Sequence, residues 1–256
     1  MKTMIGDIAL NFTEIVPKET SNDSIVALFV HEALGSIGQW KSFPQELCDR
    51  LGINGIVYDR QGHGGSSSFT SERDEHYLHN YALQELPPFV KSLVPPSQKL
   101  LLIGHSDGGT ISLLYDHQFA SRVAGVVTMA AHVINEPETI AGIQPAVDAY
   151  KLGKLDGLKK YHGDKTEALF YAWANIWRDE RFVNWDITQE IGSVNPGLFI
   201  QGKTDQYGTP KQLELIKNHY IKGTTLLIDA CGHHPHLEKK EEVISAIYAF
   251  FSEEIS

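Results

Sequence analysis

Ser106 sits in the run Gly104-His105-Ser106-Asp107-Gly108, directly after the apolar stretch 100–103 and before a helix-like stretch. A hydroxyl is a weak nucleophile at neutral pH, so chemistry at Ser106 needs a histidine to take its proton and a carboxylate to hold that histidine in one tautomer. A tight strand-to-helix turn that presents a serine also needs neighbours without bulk, which accounts for a glycine two positions away on each side. Such a turn leaves unpaired N–H groups at the start of the helix, where developing negative charge is favoured. The Asp107 N–H is therefore an expected oxyanion donor. A glycine-rich turn without chemistry is the competing reading, and the strand-turn-helix context argues against it.

The acid and the base are expected further along the chain, each at the end of a strand. After the strand-like run 197–200 comes QGKTDQYGTP, which puts Asp205 in a turn marked by Gly and Pro; Glu136 and Glu138, after the preceding strand, are the rivals. After the run 224–228 comes DACGHHPHLE, with His233, His234 and His236 close together. His233 follows Gly232 and begins the loop, so it is the expected base, while His234 and His236 bracket Pro235 and lead into the last helix. No Cys or carboxylate spacing completes a zinc pattern around these histidines, so neither a metal nor a cofactor is expected.

The elements that must carry these residues follow from the order of apolar runs. Strands are expected at 25–30, 55–58, 100–103, 123–129, 197–200 and 224–228, and helices at 37–51, 76–93, 110–119, 210–220 and 238–251. Strand alternating with helix implies an α/β fold with a mostly parallel central sheet flanked by helices, and ligands then bind at the carboxyl ends of the strands. Between about 131 and 194 no strand is evident, only helical material rich in aromatics. The expected division is a core of 1–131 and 195–256 with a helical cap of 132–194 inserted after the sixth strand, and Trp173 and Trp177 are expected to line the cleft beneath it.

The 256 residues suit one such domain, and a formal charge of -10 argues against nucleic acid or an anionic membrane surface as partner. Only Cys48 and Cys231 are present, as expected of a reducing compartment. Asp7, Asn11 and Glu14 interrupt the start of the chain, and no run approaches the roughly 20 apolar residues of a membrane span. A cytoplasmic protein acting on a small molecule is the expectation; oligomeric state is not legible.

Four landmarks, LFVHEALGS, YDRQGHGGSS, IGHSDGG and the pair QGKTD with CGHHPHLE, together resemble the α/β-hydrolase superfamily over nearly the whole chain. The resemblance is strongest to its capped serine-esterase and meta-cleavage-product hydrolase branch. It implies that Ala33 supplies the second oxyanion N–H. Glu32, standing where relatives carry Gly after His31, could shift that loop and make Leu34 the donor, and Glu32 is either a strut or a substrate contact. Asp107 is read as favourable charge near a helix N-terminus or as a substrate-orienting group, and Asp59, Arg60 and His63 as scaffold. The implied activity is hydrolysis of a carboxylic ester of a small or medium-sized substrate through an acyl-enzyme on Ser106. One alternative is carbon–carbon hydrolysis of a dienoate, for which Arg60, Arg178 and Arg181 are the available carboxylate anchors. The other is a low-turnover binding protein of the same fold.

Overall fold

The computed structural model describes residues 1–70 and 72–254. All six expected strands are present, as β3 (Ile25–Val30), β4 (Asn54–Tyr58), β5 (Lys99–His105), β6 (Val123–Met129), β7 (Gly197–Gly202) and β8 (Gly223–Ile228). Two more precede them, β1 (Lys2–Ile5) and β2 (Ile8–Ile15), paired antiparallel around a turn at Gly6. Among the described residues the sheet runs β1-β2-β4-β3-β5-β6-β7-β8 and is parallel from β3 onward. The central strands β3 and β5 are buried almost throughout, because helices cover both faces and leave no solvent side.

The helices are α1 (Phe43–Leu51), α2 (Tyr77–Asn80), α3 (Leu86–Leu93), α4 (Asp107–Phe119), α5 (Pro137–Lys151), α6 (Lys159–His162), α7 (Thr166–Ile176), α8 (Lys211–Asn218), α9 (Pro235–Glu238) and α10 (Lys240–Glu254). One apolar core packs α1 and α10 against one face of the sheet, with Phe29, Phe43, Leu47 and Ile247 at its centre. The other face carries α3, α4 and α8, and its core continues into the helices after β6.

Two expected helices are broken. The stretch 37–51 is a short 3₁₀ turn, Ile37–Trp40, followed by α1, with Lys41 at a positive φ of 56° between them. The stretch 76–93 is α2, a π turn over Tyr81–Glu85, and α3. Pro87 and Pro88 explain the second break: they lack the N–H groups that would bond back to the preceding turn, and the wider π turn accommodates their rings.

Between β6 and β7 no strand of the sheet occurs among the described residues. The segment holds α5, α6 and α7, and its two ends are stitched together where Asn135 N–H donates to the Trp185 carbonyl (3.0 Å) and Ile187 N–H to that of Val133 (2.9 Å). Positions 255 and 256, the end of the expected core segment 195–256, lie outside the described residues. No helix among the described residues is long and apolar enough to cross a membrane.

Candidate active site

Ser106 occupies the turn from β5 to α4 with φ 50° and ψ −118°, a region that costs a non-glycine residue about 1–3 kcal/mol. Closeness of backbone imposes it. A Cβ on Gly108 would lie 1.9 Å from the Val30 carbonyl oxygen, and one on Gly104 would lie 2.3 Å from that of Gly108. The glycines are thus required by contact between β3, β5 and α4, and the serine is left at the carboxyl end of the sheet.

Three of the sequence-predicted residues come together in a row. Ser106 Oγ is 3.0 Å from His233 Nε2, and His233 Nδ1 is 2.9 Å from both oxygens of Asp205. An ionised Asp205 accepts a hydrogen bond from Nδ1–H, which leaves Nε2 unprotonated and free to receive the serine proton. Burial alone would push the Asp205 carboxyl up. The His233 ring and the Tyr207 N–H, which donates to Oδ1 at 2.9 Å, outweigh it and hold the carboxyl below its usual range. The His233 backbone is fixed from β5, the strand that leads into Ser106, since His105 Nε2 donates to the His233 carbonyl at 2.7 Å.

The rival acids and bases are occupied elsewhere. Glu136 is buried and accepts from the Thr209 hydroxyl, the Thr209 N–H and Gln212 Nε2, so it joins the start of the inserted segment to the acid's turn. Glu138 is exposed on α5. His236 packs tilted against Trp40 and edge-on against Phe43, while His234 borders the cleft. Burial, with the neighbouring histidines, lowers His236 to about 3 and His234 to about 4.

The loop after β3 treats the Ala33 and Leu34 N–H groups differently. The Leu34 N–H donates to Glu32 Oε2 and is therefore taken, whereas the Ala33 and Asp107 N–H groups bond to nothing within the chain among the described residues. The Glu32 side chain is half-buried beside the cleft, and burial raises its carboxyl. Asp107 accepts from the Tyr77 hydroxyl (3.0 Å), which in turn accepts from Trp177 Nε1 (2.9 Å). Its other oxygen lies 3.6 Å from Arg60 Nη1.

Above the serine opens a cleft of about 550 Å³. Trp173 and Trp177 line it, whereas Trp185 is stacked on Phe182 at 4.9 Å. One face of α5, including Gly142, Ile143, Ala146 and Ala149, supplies an apolar wall that sequence reasoning did not identify. The small residues recur at helical spacing there, but nothing in a single sequence tells a cleft-facing stripe from a packed one. His132 and Tyr207 were also missed; His132 Nε2 lies 2.8 Å from the Tyr207 carbonyl and so supports the acid's turn.

Among the described residues no Lys or Arg lines this cleft. Arg60 is fully buried behind it, Arg178 folds back on the Ala174 carbonyl, and Arg181 pairs with Asp179. None of the three is placed to receive a substrate carboxylate. Among the described residues no cluster of three or more His, Cys, Asp or Glu could hold a metal ion.

A profile of the alpha/beta hydrolase family matches residues 27–246. A proline iminopeptidase of Thermoplasma volcanium is 22% identical over 278 residues, covering 93% of this chain and 92% of that protein. Among solved structures, a bacterial membrane phospholipase A superposes with a TM-score of 0.78 at 19% identity, covering 98% of this chain and 85% of its own. An enol-lactonase of Burkholderia xenovorans gives 0.75 at 14% identity, covering 99% and 100%. At these identities the structural likenesses establish a shared fold.

Proposed function

The chain belongs to the α/β-hydrolase family, and from that premise we propose that it is a serine hydrolase cleaving carboxylic esters of small or medium-sized substrates through an acyl-enzyme on Ser106. The observation that carries this reading is the hydrogen-bonded row Ser106 Oγ, His233 Nε2, His233 Nδ1 and Asp205, opening on a largely apolar cleft. Ser106 Oγ attacks the carbonyl carbon as His233 Nε2 takes its proton, and Asp205 stabilises the imidazolium. The Ala33 and Asp107 N–H groups receive the oxyanion, each such donor contributing about 10²–10³ in rate. The imidazolium then protonates the leaving alcohol, and His233 finally activates the water that releases the acid.

In this reading residues 132–194 form the cap, 1–131 and 195–256 form the core, and Trp173, Trp177, Leu34 and Glu32 contact the substrate. No cofactor takes part. The test is p-nitrophenyl butyrate hydrolysis by the wild type and by Ser106→Ala. Activity that falls to background in the variant supports the reading, and equal activity in both removes it.

A second reading is favoured by Glu32, a half-buried carboxylate in a cleft without a cation among the described residues. It would suit a substrate with a free amine near the scissile bond, as the name proline iminopeptidase denotes for the relative above. Faster release of p-nitroaniline from proline p-nitroanilide than of nitrophenol from the butyrate would select it. The carbon–carbon hydrolase alternative loses support because a dienoate carboxylate would meet Glu32 and find no anchor.

A further inference from the structure

We propose that Arg60, with Asp107 as its counter-ion, is a positioning residue for the oxyanion hole and acts through the Glu32–Ala33 peptide. This rests on the serine-hydrolase reading of Ser106.

The Glu32 carbonyl accepts three hydrogen bonds: from Gly35 N–H at 2.9 Å, from His31 Nδ1 at 2.8 Å and from Arg60 Nη2 at 2.8 Å. The Gly35 bond alone closes the turn. His31 is an N–H donor at Nδ1 because its Nε2 accepts from the Arg60 N–H at 3.1 Å. A carbonyl oxygen has two lone pairs, so a cationic third donor is more than loop closure requires.

That carbonyl and the Ala33 N–H are opposite ends of one planar peptide. Fixing the oxygen fixes the direction of the N–H. A cation on the oxygen also draws electron density from the amide and makes the N–H a stronger donor, as in any polarised chain of hydrogen bonds. On the other side of Ala33, its carbonyl lies 3.1 Å from His63 Nε2.

Arg60 is aimed by its other contacts. It is 0% exposed, its guanidinium lies 4.6 Å over the Tyr81 ring, and Nη1 stands 3.6 Å from Asp107 Oδ2. Neither of these two atoms has a hydrogen-bond partner among the described residues, so the pair faces itself. Asp107 is the residue whose N–H is the other proposed oxyanion donor. Arg60, in the loop after β4, therefore bridges the two segments that supply the hole, reaching β3's loop through Nη2 and α4's first turn through its pairing with Asp107. A buried pair is weak evidence for stability, since desolvation offsets attraction, and its placement here points to geometry.

The test uses Arg60→Lys, which keeps the charge but not the fork, and Asp107→Asn, which keeps the shape and the acceptor for Tyr77 while removing the counter-ion. Active sites are counted by fluorophosphonate labelling of Ser106. Then kcat and KM for p-nitrophenyl butyrate and the affinity for butylboronic acid, which forms a tetrahedral adduct on serine, are measured for each variant. Loss of positioning should cut kcat per labelled site by about 10- to 100-fold with KM changed less than about threefold, and boronate affinity should fall in step with kcat. A purely structural pair would lower the melting temperature and the labelled fraction but leave kcat per labelled site within about twofold of wild type; that result overturns the proposal, as does boronate affinity that stays constant while kcat falls. If Arg60→Lys does not fold, Asp107→Asn decides by the same criteria. A wild type that is neither labelled nor active would instead overturn the Ser106 reading itself, and this inference with it.

Discussion

A carboxylate behind a histidine helps proton transfer only while it stays ionised and on the right nitrogen. Asp205 meets both conditions, because its oxygens straddle His233 Nδ1 and the Tyr207 N–H donates to one of them. Asp205→Asn would keep the size but offer an N–H toward Nδ1, favouring the tautomer whose Nε2 proton faces Ser106. Turnover of p-nitrophenyl butyrate should drop by about 10³- to 10⁴-fold with an unchanged circular dichroism spectrum; a loss below tenfold would remove Asp205 from the mechanism. At this scale the sequence was informative where a residue's type and its neighbours constrain the backbone, as with Ser106 between glycines. It was silent where burial decides. Arg60 reads equally well as an exposed substrate anchor or a buried strut, and only three-dimensional contact shows the second.

The acid's turn depends on an element that precedes it by a long stretch of chain. Thr139 Oγ1 on α5 donates to the Tyr207 carbonyl at 2.6 Å, and α5 approaches so closely at Gly142 that a Cβ there would lie 2.4 Å from the Gln206 carbonyl oxygen. Gly142→Ala must therefore push α5 and the turn apart. Moving the carboxylate by a fraction of an ångström should lower kcat about tenfold, and overpacking should lower stability by about 1–3 kcal/mol. Wild-type kcat in Gly142→Ala would show that the turn holds itself without α5. Elements that alternate cleanly between apolar strand and amphipathic helix were legible from the sequence. The β1–β2 hairpin was not, because Asn11, Thr13 and Glu14 break the apolar run of β2, which lies next to the edge strand β1 and is largely half-buried or exposed. The π turn was hidden for a different reason: apolar periodicity does not register which N–H groups the prolines remove.

Across the whole molecule, histidines are kept neutral in the interior around the site. Burial is the largest cause at each, and it lowers His236 to about 3 and His234 to about 4 from an ordinary 6.5, with His31, His63, His105 and His132 shifted the same way. The unfolded chain takes up these protons as pH falls through about 6.5, whereas the folded chain does not until its own lower pKa is reached. Their contribution to stability is therefore complete above about 6.5 and declines as pH falls below it, for His234 and His236 at up to about 1.4 kcal/mol per pH unit toward pH 4. Glu85, raised by burial to about 7 from 4.5, has the opposite sign between those values, as do Glu32 and Asp116, which burial also raises, so these acids offset part of the effect of the more numerous histidines. Melting temperature should thus fall markedly from pH 7.5 to pH 5. Replacing His236, which packs between Trp40 and Phe43, by Phe keeps an aromatic ring in that slot and removes one titrating site. The gap between the two melting temperatures should narrow in His236→Phe by the equivalent of about 2 kcal/mol, several degrees for a chain of this size. A gap as wide in the variant as in the wild type would mean that His236 is protonated without penalty inside the fold, contrary to its burial.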